Sequence, residues 1–134
     1  MKKIKFLGVL AIGLLAASCS SDDDNNSVST SDLSLNLTGL ENLGADFKYE
    51  GWIIGDGSPV STGVFTVNAS GVLSQTEFSI NSNQLNSATK FVLSIEPTID
   101  TDPAPSNTKI LAGDFSGNSA AVDSDLGKWR MVFR

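Results

Sequence analysis

The chain has 134 residues, one cysteine and no histidine, and carries a net charge of −6. Those counts exclude Ser-His-Asp and Cys-His catalysis, imidazole metal ligation, and any intrachain disulfide or CxxC centre. An acidic chain with 18% charged residues lacks the clustered Lys/Arg surface that nucleic acid requires, and the length fits one domain.

The chain opens with a secretion signal, residues 1–18. Lys2, Lys3 and Lys5 form a positive start, and residues 6–17 are apolar and uncharged. This run is shorter than the roughly 20 residues of a spanning helix. It ends in Leu15-Ala16-Ala17-Ser18-Cys19. Small residues before a lone cysteine at this place resemble a bacterial lipobox, although the leucine stands one step earlier than in the usual pattern. The resemblance implies a diacylglyceryl thioether on Cys19, cleavage before it and acylation of the new amine, so the lipid is the chain's link to the membrane. An ordinary cleaved signal peptide is the alternative.

Residues 19–32 read as an acidic, disordered tether. Asp22, Asp23 and Asp24 directly follow the cysteine region and resemble the export signal of Bacteroidetes-type surface lipoproteins. The expected location is therefore the outer membrane, lipid-anchored and exposed at the surface. The alternatives are a periplasmic face and simple solvation of the tether. Calcium binding by this run is disfavoured, because adjacent aspartates lack the spaced ligands of a calcium loop. From Cys19 onward, six basic and fifteen acidic residues give −9; over residues 33–134, six against eleven leave −5.

Residues 33–134 show mostly a period of two, the signature of strands. Leu33, Leu35 and Leu37 alternate with polar residues. Tyr49, Gly51 and Ile53 alternate with Lys48, Glu50, Trp52 and Ile54. Residues 60–67 are β-branched and aromatic, and residues 72–80 alternate again after the Asn68-Ala69-Ser70-Gly71 turn. Phe91, Leu93 and Ile95 alternate with Val92, Ser94 and Glu96. Residues 108–115 and 128–133 complete about seven short strands. Helical turns are expected only at 83–88 and 120–126. The fold class is all-β, an antiparallel β-sandwich.

Candidate chemistry is sparse. Gly55-Asp56-Gly57-Ser58-Pro59 lies between strands and reads as a hairpin turn, since a phosphate cradle needs a following helix. Asp100 and Asp102 form an isolated pair in a proline-containing loop, too few ligands for a cation site. Glu77 with Glu96, or Asp56 with Asp114, could serve acid/base hydrolysis only if the fold brought them together. No catalytic residue, cofactor or metal site is assigned. Trp52 is the one candidate ligand contact, as it shares the face of Lys48 and Glu50, but Ile54 shares that face too and core packing is the favoured reading. Trp129 is the second tryptophan, and strand alternation sets it opposite Lys128 and Arg130.

Three stretches carry a further resemblance. They are Tyr49-Glu-Gly-Trp-Ile-Ile54 with Pro59-Val-Ser-Thr-Gly-Val-Phe-Thr-Val67, then Phe91-Val-Leu-Ser-Ile-Glu-Pro97, then Ala104-Pro-Ser-Asn-Thr-Lys-Ile-Leu-Ala-Gly113. In this order they resemble the C-terminal extracytoplasmic domain of anti-sigma-K factors. Everything before residue 33 reads as signal or tether, so the sigma-binding and transmembrane parts of that family have no counterpart here. The resemblance implies a non-enzymatic binding or sensing role, with sigma-factor signalling as its setting. The partner is an unidentified protein or a saccharide, and a surface carbohydrate-binding module is the second reading.

Overall fold

A computed structural model describes residues 27–123 and 129–133. Cys19, Asp22, Asp23 and Asp24 lie outside the described residues, as do residues 124–128 and the side chain of Trp129.

Among the described residues, eight strands and one short helix make up the fold. They are β1 (Thr30–Asn36), β2 (Phe47–Ile54), β3 (Val60–Phe65), β4 (Glu77–Asn81), α1 (Ser82–Ser87), β5 (Lys90–Pro97), β6 (Lys109–Ser116), β7 (Ser119–Asp123) and β8 (Trp129–Phe133). The hydrogen-bonded order is β3-β2-β5-β6-β7-β8-β1-β4, antiparallel throughout. The sheet folds over so that its two ends, β3 and β4, lie against each other. Gly63 permits that approach: a Cβ there would stand 2.6 Å from the Phe78 ring.

The expected all-β sandwich is therefore what forms, with eight strands where about seven were expected. Alternation selects its core. Leu33 and Leu35 of β1, Tyr49 and Ile53 of β2, Phe65, Phe78 and Ile80, Phe91 and Leu93 of β5, Leu111, Ala120 and Val122 all bury into one cluster. Phe65 joins its two halves: its ring stacks on Tyr49 at 5.4 Å and tilts against Phe78 at 6.2 Å. The hairpin at 55–59 forms as expected, with Ile53 opposite Val60.

Two boundaries differ from the sequence reading. The segment 120–126 was expected to turn helically, yet Ser119–Asp123 is strand β7, with Ala120 and Val122 fully buried. Pairing with both β6 and β8 overrides the weak local preference of its small residues. The sheet also begins at Thr30 rather than Leu33. Thr30, Ser31 and Asp32 pair with Asn81, Ile80 and Ser79, so backbone pairing extends β1 into the expected tether. The helical turn at 83–88 is realised as α1, capped by the Asn81 side chain, whose oxygen accepts from Asn83 N and Gln84 N.

The strand directions give the domain two distinct ends. The chain enters at the near end: Ser82 N donates to Ser29 O, and Thr89 N donates to Ile54 O. Helix α1 and the 55–59 hairpin stand there. Loops 37–46, 66–76 and 98–107 form the far end, where β1 and β3 finish and β2, β4 and β6 begin.

Tyr49 provides a pH-dependent test of the core. It is the single tyrosine. Its hydroxyl donates to Glu41 O at 2.7 Å and accepts from Glu41 N at 3.1 Å. Burial pushes its pKa above the ordinary 10.0; the backbone hydrogen bond at Glu41 offsets part of this, and the Glu41 charge adds to it. The folded state thus holds this proton more tightly than the unfolded chain does. Its contribution to stability is complete below about pH 10 and declines as pH climbs through the raised pKa. A tyrosinate absorbance titration should give a midpoint above the ordinary value until unfolding intervenes. Tyr49→Phe should remove the corresponding alkaline loss of stability.

Candidate functional site

The face of β2 and β5 turned away from the core carries Glu50, Trp52, Val92, Ser94 and Glu96. The register brings them together, since Trp52 pairs with Val92, Glu50 with Ser94 and Lys48 with Glu96. An outer sheet face is ordinarily wet. Here Trp52 is 3% exposed, Ser94 0% and Glu96 1%.

A polar relay runs through this face. Trp52 Nε1 donates to Ser94 Oγ at 2.8 Å, and Ser94 Oγ donates to Glu96 Oε1. The same carboxylate oxygen accepts Ser106 N at 2.8 Å. Ser106 Oγ in turn donates to Ile95 O at 2.7 Å, and Lys109 Nζ donates to Ser106 O at 2.6 Å. Glu96 therefore pins the end of loop 98–107 to β5. A buried carboxylate needs such donors, because burying it without partners costs several kcal/mol.

The loop also delivers a third acid. Carboxylate oxygens of Glu50, Glu96 and Asp100 lie within 4.8 Å of one another. Glu50 Oε1 accepts Ser61 Oγ at 2.6 Å, and Asp100 Oδ1 accepts Asp102 N at 3.0 Å. Among the described residues no lysine or arginine is ion-paired to this group; Lys90 pairs with Asp114 at 2.7 Å on the surface. Serine hydroxyls or backbone amides donate to each of the three carboxylates. Chemically the trio is a set of hard oxygen ligands, three of the six to eight that calcium takes.

The structure sorts the sequence-based candidates. Trp52 does lie on the Glu50 face, but it is buried, with its N–H committed to Ser94, so the ligand-contact reading is corrected: it presents no platform to a ligand. The favoured reading of packing is the one realised, on the outer face and not in the main core. Asp100 joins the acidic group, whereas Asp102 turns back to accept Ala104 N at 3.0 Å. Glu77 accepts the Ser34 hydroxyl at 2.7 Å, Glu96 is engaged by Ser94 and Ser106, and Asp114 pairs with Lys90. Glu50 was missed as a member. Its parity with Trp52 was visible in the sequence; its proximity to Asp100 was not.

Two cavities lie away from the trio. One, of about 370 Å³, is lined by Ile53, the 55–59 hairpin, Val60, Gln84 and Ser87 at the near end. The other, of about 390 Å³, is lined by Asn42, Gly44 and residues of the 66–74 turn. Comparison with family models, curated proteins and solved structures finds no match.

Glu96→Ala should lower stability by about 1–3 kcal/mol, because Ser106 N and Ser94 Oγ lose their acceptor. Glu96→Gln retains an acceptor oxygen and removes one charge from the trio, so it should cost less. Urea denaturation of the two variants checks the order.

Proposed function

We propose that the protein is a lipid-anchored extracytoplasmic domain with a binding or sensing role, held at the outer membrane and exposed at the cell surface. The observation that carries this reading is the position of Cys19. The only cysteine stands where small residues end a short apolar signal segment. Strand β1 begins at Thr30, eleven residues later. Fully extended, that stretch spans at most about 40 Å, which keeps the domain close to the bilayer.

The sensing role rests on the likeness of residues 49–67, 91–97 and 104–113 to the extracytoplasmic domain of anti-sigma-K factors. These segments include β2, β3, most of β5 and the start of β6, the strands that frame the buried outer face. A link to sigma-factor signalling follows from that likeness alone, and a sigma factor that fails to co-purify with the protein would remove it.

Metabolic labelling with palmitate tests the anchor. Wild type should label and Cys19→Ala should not; an unlabelled wild type contradicts the reading. Protease treatment of intact cells tests placement. Asp22→Ala, Asp23→Ala and Asp24→Ala together should protect the domain from external protease, and unchanged cleavage would contradict surface export.

A further inference from the structure

Two features come together at the far end of the domain. The first is exposed apolar surface. Among the described residues the large apolar side chains left exposed are Phe47 (47%), Val64, Val72, Ile99 (89%) and Val28. Val28 belongs to the entering chain. The other four stand at the far end: Phe47 at the start of β2, Val64 near the end of β3, Val72 in loop 66–76 and Ile99 in loop 98–107. Phe47 pairs with Pro97, two residues before Ile99, and Thr98 N donates to Asp46 O at 2.8 Å, so Phe47 and Ile99 flank one junction.

The second feature, among the described residues, is an excess of negative charge. Loops 37–46, 66–76 and 98–107 carry Glu41, Asp46, Asp100 and Asp102 and no lysine or arginine. Glu50 adds a fifth carboxylate beside them. The neighbouring cations are turned onto the loops themselves: Lys48 Nζ faces Thr98 O at 3.5 Å, and Lys109 Nζ is bonded to Ser106 O. Isolated exposed apolar residues are ordinary on a surface. Four at one end, where among the described residues five carboxylates outnumber the two neighbouring lysines, are the complement of a cationic, apolar surface.

We infer that the far end, centred on Phe47 and Ile99 and ringed by Asp46, Glu50, Asp100 and Asp102, is a docking surface for a basic, apolar polypeptide segment of a partner protein. An anionic bilayer or a nucleic acid would be repelled by the same carboxylates. The tether joins the opposite end, which leaves this surface free to meet a partner while the lipid is held. The inference rests on the reading of a binding domain but not on the anchor. Loss of palmitate labelling would overturn the anchor and leave the following titration unaffected.

The test is calorimetric titration of the purified protein with a short alternating Lys-Leu peptide and its Glu-Leu counterpart. The Lys-Leu peptide should bind, and more weakly as salt rises. Phe47→Ser with Ile99→Ser should weaken binding about tenfold. Asp100→Asn with Asp102→Asn should weaken it severalfold and flatten its salt dependence. Asp56→Asn, at the near end, should bind as wild type, and thermal unfolding shows which variants are folded. Equal binding of the Glu-Leu peptide, wild-type affinity in folded far-end variants, or an equal loss in Asp56→Asn would overturn the proposal. So would sedimentation with phosphatidylglycerol vesicles in place of peptide binding.

Discussion

Replacing Gly113 by alanine should destabilise the domain by about 3 kcal/mol, at the upper end for an overpacked core position. Gly113 lies in β6, paired with Phe91 of β5 on one side. On its other side β7 crosses close by. A Cβ at Gly113 would collide with the carbonyl oxygen of Ala121 and stand 2.7 Å from its carbon and 2.9 Å from Val122 Cα. All three are backbone atoms, so no side-chain rotation can relieve the contact. Relief requires β7 to move, and Ala120 and Val122 are fully buried on that strand. Chemical denaturation of Gly113→Ala measures the loss directly. Near-wild-type stability would mean that β6 and β7 do not approach in this way.

Phe91→Ala should cost about 3–5 kcal/mol, the range for deleting a buried phenyl ring. Phe91 is fully buried, among the largest side chains to be so. It lies on β5, opposite Ile53 of β2 and Gly113 of β6, where the central strands meet the core. Its ring also occupies the space over Gly51, where a Cβ would come within 3.0 Å of two ring atoms. Loss of the ring therefore opens a cavity bounded by backbone, which collapses poorly. Total stabilities of domains are about 5–15 kcal/mol, so the variant should be partly unfolded near physiological temperature. A loss below about 1 kcal/mol would place Phe91 outside the core.

Most of the sheet was legible because one face of each strand is buried. Leu33 and Leu35, Tyr49 and Ile53, and Phe91 and Leu93 mark that face by simple alternation. β7 was not legible. Its Ser119-Ala-Ala-Val-Asp123 sequence is small and weakly patterned, and it becomes a strand through pairing with its neighbours β6 and β8 on both edges. The start of β1 was hidden for a related reason: Thr30 and Asp32 bury no apolar surface, and only their pairing with β4 holds them in the sheet.

The candidate site divides in the same way. Alternation placed Trp52 and Glu50 on one face, and Ser94 with Glu96 on another strand. It could not say that these strands are neighbours, nor that loop 98–107 folds back over them through Ser106 and Asp100. Packing was the favoured reading for Trp52 and Trp52 is buried, but the neighbouring strand and loop that bury it were not visible in local alternation. The gathering of Phe47, Val64, Val72 and Ile99 at one end was equally hidden, because it depends on strand direction and not on local pattern.

The claim on which the functional account turns is that the mature protein begins at Cys19 and is held there by lipid. Mass spectrometry of the N-terminal peptide from the native membrane fraction tests it most directly. Cys19 should be the first residue, carrying a diacylglyceryl thioether and an acylated amine. A mature chain that begins elsewhere, or that begins at Cys19 with a free thiol, would contradict it.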